Sequence, residues 1–265
     1  MKRRQGLSIF CFLVFFPLYA HSQAEKAILN EAAHLIPRVE KICNKKKNLP
    51  KTVLKGHVIM AVHSKNLSSI ISGGFKNMFE TGKGAFYTGK GQKSYYKNRM
   101  AAENDLVCKN LGTKNPTLRP KYAFFMPDKN VGSQKAKMDP KYGDVFVVFK
   151  DDVKKRSTLT MGDSLNNYSD NSNPRDPFRV RPHLKKPFGY VKSVTFYRDK
   201  LENLSIDSDY YEVQIYGPLK MNDVAEIRVK KSVYNKKRVF FQKVNVPIYE
   251  IKTGSYIYER GNKLK

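Results

Sequence analysis

Beyond residue 50 the apolar side chains come in short packets of strand length. "TVLKGHVIMAVH", "KYAFFMP", "YGDVFVVFK", "STLTM", "FGYVKSVTFYR" and "DYYEVQIYGPL" are rich in β-branched and aromatic residues and are separated by Gly, Pro, Asn, Asp or Lys. Such packets bury their apolar surface by pairing edge to edge, so the chain must build a sheet. Helical spacing is confined to a few places. From about Ala24 to Cys43 the residues Ile28, Ala32, Leu35, Ile36, Val39 and Ile42 recur at three and four. "SKNLSSIISGG" has a cap in Ser64 or Asn66 and a stop in Gly73–Gly74, and "KNRMAAENDLVCKNL" turns Met100, Leu106, Val107 and Leu111 to one side. "KMNDVAEIRV" reads as a short helix capped by Asn222 or Asp223. "VFFQKVNVPIYEIKTGSYIYER" reads as one or two last strands with a hairpin near Thr253–Gly254. The pattern predicts one mixed α+β domain with an appended N-terminal helix.

The division along the chain follows from composition. Lys2, Arg3 and Arg4 precede the apolar run "LSIFCFLVFFPLYA", and small residues at Ala20, Ser22 and Ala24 offer a cleavable spacing. Residues 1–24 therefore read as a secretory signal peptide, and the expected location is periplasmic or secreted. No later run reaches the roughly 20 apolar residues of a membrane-spanning helix. Residues 25–50 hold the helix and a basic linker. Residues 51–265 form the main domain, with the strands over 237–260 as an extension.

Charge and cysteines narrow the partners. The formal net charge is +27, which attracts polyanions without sequence readout. Cys43 and Cys108 permit one disulfide in an oxidising compartment. Neither has a second cysteine or a histidine at ligand spacing, and the five histidines offer no helical pair, so no metal centre is expected. "ETGKGAFYTGKGQKS" is not a P-loop, because Gly91 follows Gly89–Lys90. The chain also has no nucleophile elbow.

What remains is a carboxylate on a strand. With a period of two, Tyr211, Val213 and Ile215 share one face of "DYYEVQIYGPL", and Glu212, Gln214 and Tyr216 share the other. Half-exposed strands usually turn such residues to water. His63 ends an early strand just before a helix.

Two resemblances bear on this pair. "VIMAVHSKNLSSIISGGF" resembles the opening strand, histidine, helix and glycines of the ADP-ribosyltransferase fold in its His-Tyr-Glu branch, which includes poly(ADP-ribose) polymerases and RNA 2′-phosphotransferases. "YEVQIYGPLKMNDVAEIRV" resembles that branch's last motif. Separately, "FETG", "RPKYAFF", "YGDVFVVFKDDVKKRSTLTMGDS" and "YYEVQIYG" resemble, in order, a bacterial domain family of unassigned function. The first resemblance implies an α+β domain with a split, mixed or antiparallel sheet and an NAD-dependent transferase that modifies a macromolecule, which the signal peptide would make an exported toxin or effector. It implies Glu212 as the catalytic carboxylate beside an oxocarbenium-like centre. It assigns NAD binding to His63, to the backbone at Ser64, to Gln214, and to a stacking tyrosine, Tyr122 by chain order or Tyr87 as the alternative. Ser157, Thr158 and Asp163 read as polar support or as a strand end and turn. Ser64 stands where the family usually has glycine, and Glu212–Val213–Gln214 reverses the order of the arginine-modifying branch. Charge alone supports the other expectation, a non-catalytic basic periplasmic or surface module that binds acidic polymers or nucleic acid.

Overall fold

A computed structural model describes residues 21–43, 53–82, 89–107, 111, 115–127, 142–161, 164–165, 194–195, 211–251 and 260–265. The chain is α+β. Its strands are β1 (Gly56–Val62), β2 (Lys121–Pro127), β3 (Val145–Phe149), β4 (Ser157–Met161), β5 (Val194–Thr195), β6 (Tyr211–Ile215), β7 (Val224–Val229), β8 (Ile248–Ile251) and β9 (Arg260–Lys263). They form one sheet in the order β5-β4-β6-β2-β1-β3-β7-β8-β9. Every neighbouring pair is antiparallel except β7 and β8, which run parallel. The described strands are thus continuous, where a split sheet was expected.

The helices are α1 (Gln23–Arg38), α2 (Leu67–Gly73), α3 (Met78–Thr81), α4 (Gly89–Leu106), α5 (Lys231–Lys236) and α6 (Arg238–Lys243). One sheet face carries the main core: Val58, Val147, Val213 and Ile227 pack with Leu67 and Ile70 of α2 and Phe241 of α6. Each such fully buried side chain contributes about 1.5–3 kcal/mol.

The opposite face is divided. Cross-strand register aligns Ile59, Phe124, Glu212 and Thr160 in one row, and Tyr122, Gln214 and Thr158 in the next. Paired residues point to the same side. Toward β1 and β3 this face is apolar, with Ile59, Phe146 and Val148 buried together. Toward β2, β6 and β4 it is polar, and helix α4 contributes Arg99 and Glu103 to it, one helical turn apart.

Three elements differ from the sequence reading. "VAEIRV" is strand β7, because β3 and β8 offer ladders on both its sides. The capping residues are spent on a single 3-10 turn, Met221–Asp223, where the Lys220 backbone N–H donates to Asp223 Oδ2 at 2.8 Å. "RVFFQK" is helix α6, with Phe241 fully buried while Val239 points out. Helix α1 is integral and not an appendage. Ser22 and Glu25 form its capping box, and Ala32, Leu35 and Val39 pack on Val107, Leu118 and Tyr216. Its close seat depends on Gly217, whose φ of +79° suits glycine and whose missing Cβ would lie 3.2 Å from that of Ala32. A π turn, Val39–Cys43, follows Pro37. Cys108, the hairpin tip at Thr253–Gly254 and residues 1–20 of the expected signal peptide lie outside the described residues.

Candidate functional site

Strand β6 is buried on both faces, so Glu212 is not a solvent-facing strand residue; it is 6% exposed. A buried carboxylate needs donors. Gln214 Nε2 donates to Glu212 Oε1 at 2.9 Å, and the Ser164 backbone N–H donates to the same oxygen at 3.2 Å. The Gln214 amide is itself fixed. It donates to Thr160 Oγ1 at 3.0 Å, and its oxygen accepts from Thr158 Oγ1 at 2.9 Å. Thr158 Oγ1 also lies 3.3 Å from the Tyr216 hydroxyl. The row of polar side chains legible in the sequence is therefore the centre of a buried network.

Helix α4 supplies the roof. Arg99 Nη1 donates to Ser164 Oγ at 3.1 Å, and its guanidinium lies 4.1 Å from the centre of the Tyr122 ring. Glu103 accepts from Arg119 Nη1 at 2.6 Å and from the Tyr122 hydroxyl at 2.9 Å. Arg119 also lies over the Phe79 ring, 4.3 Å from its centre. Beside it, Lys121 Nζ donates to the Gly217 carbonyl at 2.8 Å and pairs with Glu80 at 3.0 Å.

Burial sets the electrostatics. It pushes the Glu103 carboxyl up to about 7 despite the pull of Arg119. Burial also carries the Tyr122 and Tyr216 phenols upward. The Lys121 ammonium is pushed down to about 8, against the support of Glu80.

The four ordered motifs interlock around this network. Phe79 and Glu80 of "FETG" meet Arg119 and Lys121 of "RPKY". Tyr122 of the same motif reaches Glu103, and Ser164 of "GDS" holds Glu212 of "YEVQ".

Of the residues singled out by sequence, Glu212, Gln214, Tyr122 and Thr158 gather here. Ser157 does not; its hydroxyl donates to the Val153 carbonyl. His63 and Ser64 lie at the far end of β1. Ile59 is level with Glu212 across β2, so His63, four residues on, is roughly 16 Å from Glu212 between backbones. The apolar cluster of Ile59, Phe146 and Val148 occupies the adjoining part of the face. The Ser64 N–H donates to Asp144 Oδ1 at 2.6 Å and its hydroxyl to Oδ2 at 2.8 Å. Gly143 lets that loop come close, since a Cβ there would lie 2.3 Å from the Val62 carbonyl. Tyr87 and Asp163 lie outside the described residues.

Sequence reasoning missed Arg99, Glu103 and Arg119. The signal was present: Tyr95, Arg99 and Glu103 recur every four residues and form a polar stripe suited to a polar strand face. Among the described residues no group of His, Cys, Asp and Glu could hold a metal ion, and no helix is long and apolar enough to cross a membrane. In comparisons with known proteins, no family model matches the chain and no curated protein matches it.

The residues do not reproduce the full set of NAD contacts that the resemblance implies. A fixed carboxylate with neighbouring amide, hydroxyl and phenol groups is in place. The grip that the resemblance assigns to Ser64 is not, because that N–H already serves Asp144.

Proposed function

We propose that the chain is an exported, ADP-ribosyltransferase-like protein that acts on a macromolecule, with the Glu212 network as its working centre. The observation that carries the reading is a buried carboxylate, Glu212, held by Ser164 and Gln214 and joined through Arg99 to the ring of Tyr122. Breaking a glycosidic bond builds positive charge on a ribose carbon, and a carboxylate whose orientation is fixed beforehand stabilises that charge without reorganising. Gln214, clamped by Thr158 and Thr160, keeps Glu212 in one rotamer. Arg99 supplies a cation on the same network through Ser164. No step is assigned to His63 or Ser64.

The test is nicotinamide release from NAD by the purified chain. Wild type should exceed Glu212→Gln by about a hundredfold or more, the usual cost of removing one electrostatic stabiliser. His63→Ala should stay within about twofold of wild type, as expected of a residue to which no step is assigned. Equal background rates for wild type and Glu212→Gln would end the enzyme reading and leave a basic exported binding module.

A further inference from the structure

Helices α5 and α6 form a corner against α2, enclosing an open groove of about 500 Å³. Ser68 and Ile71 line one side, and Lys236, Arg238, Val239 and Phe240 are among the residues of the other. No acidic residue lines the groove, and none occurs from Ile227 through Tyr249. Val239 is 69% exposed, the highest value among the exposed large hydrophobic residues described. Its neighbour Phe241 is fully buried and stacks on Tyr234, which anchors α6 to the core and leaves Val239 standing outward.

An outward aliphatic tip ringed by flexible cations suits one kind of partner. Nucleic acid would use the cations but gain nothing from the valine, and Phe240 already packs edge-on against Phe241. An acyl boundary below a layer of phosphates uses both, because Lys and Arg stems lie along the apolar region while their heads reach the phosphates. We infer that the α5–α6 corner docks on an anionic lipid surface, with Val239 entering the acyl boundary and Lys236, Arg238 and Lys243 meeting lipid phosphates. This site is separate from the Glu212 network and stands or falls without it.

The experiment is sedimentation with vesicles of phosphatidylcholine, alone or mixed with phosphatidylglycerol, using the chain from His21 onward, which carries every element described above. Binding should need the anionic lipid. Lys236→Glu/Arg238→Glu/Lys243→Glu should weaken it about a hundredfold, at about fivefold per cation. Val239→Asp should weaken it about tenfold, and Val239→Trp should strengthen it, which a folding defect would not do. Lys26→Glu/Lys55→Glu/Lys150→Glu changes the charge equally at exposed sites elsewhere and should bind as wild type. The proposal is overturned if neither Val239 variant alters binding, if the distant triple variant loses as much as the α6 variant, or if vesicles fail to bind. It is equally overturned if a short oligonucleotide binds through the α6 cations while vesicles do not.

Discussion

Glu103 and Arg119 are both withdrawn from water and face each other at 2.6 Å. Such a pair gains Coulomb energy but bears the cost of stripping two ions of solvent. Burial leaves the Glu103 carboxyl titrating near 7, above its ordinary value of 4.5. A raised pKa means that the folded chain holds the proton more tightly than the unfolded chain. The associated stability is therefore complete below about pH 4.5 and lost as pH rises through about 7. Glu103→Gln mimics the protonated form. It should match wild type in urea unfolding near pH 4.5 and equal or exceed it at pH 8. A variant weaker by several kcal/mol at pH 8 would show that the ion pair outweighs its desolvation. The same residues mark the limit of sequence reading. The period of two put Glu212, Gln214 and Tyr216 on one side of β6, but it could not say that Arg99 and Glu103 from α4 would join them there. Choosing Met100, Leu106 and Val107 as the inward face hid the polar stripe beside it.

At the scale of elements, strands flanked by turn residues were legible, and β1, β2, β3, β4 and β6 lie where alternation and β-branched content place them. Two elements near the C-terminus were not, for opposite reasons. Asn222 and Asp223 look like helix caps, yet they close one 3-10 turn before β7. The paired phenylalanines of α6 look like strand, yet helix geometry sends Phe241 inward and leaves Phe240 partly exposed. Phe241 packs within 5.5 Å of Tyr234 and 5.4 Å of Phe240, ring centre to ring centre. Phe241→Ala should cost about 3–5 kcal/mol in urea unfolding, because it opens a cavity where α6 meets the sheet. A loss below about 1 kcal/mol would mean that α6 is poorly seated.

Across the whole molecule, a net charge of +27 sets a standing repulsion. The fold absorbs part of it by turning cations inward onto backbone carbonyls. Lys121 meets Gly217, Lys154 meets Leu54 at 3.0 Å, and Arg156 meets Tyr216 at 2.5 Å. Carboxylates complete several of these contacts, with Asp223 3.3 Å from Arg156 and Glu80 beside Lys121. Cations still outnumber acids, 50 to 23, so screening should help the folded state. Raising sodium chloride from about 20 to about 200 mM shortens the screening length below about 10 Å and should raise the thermal midpoint. A falling midpoint would show that attractive pairs dominate instead. The sheet order has a different consequence. The first strand synthesised, β1, ends up in the middle, and only β2 and β3 can join it early. Strand β4 is made before β6 but is hydrogen-bonded outside it, so until residue 211 and beyond emerge it has only the two-residue β5 beside it among the described strands. A nascent chain halted in that interval would present two open ladders and a short hairpin cut off from the sheet, and it would need a chaperone's cover to stay unaggregated.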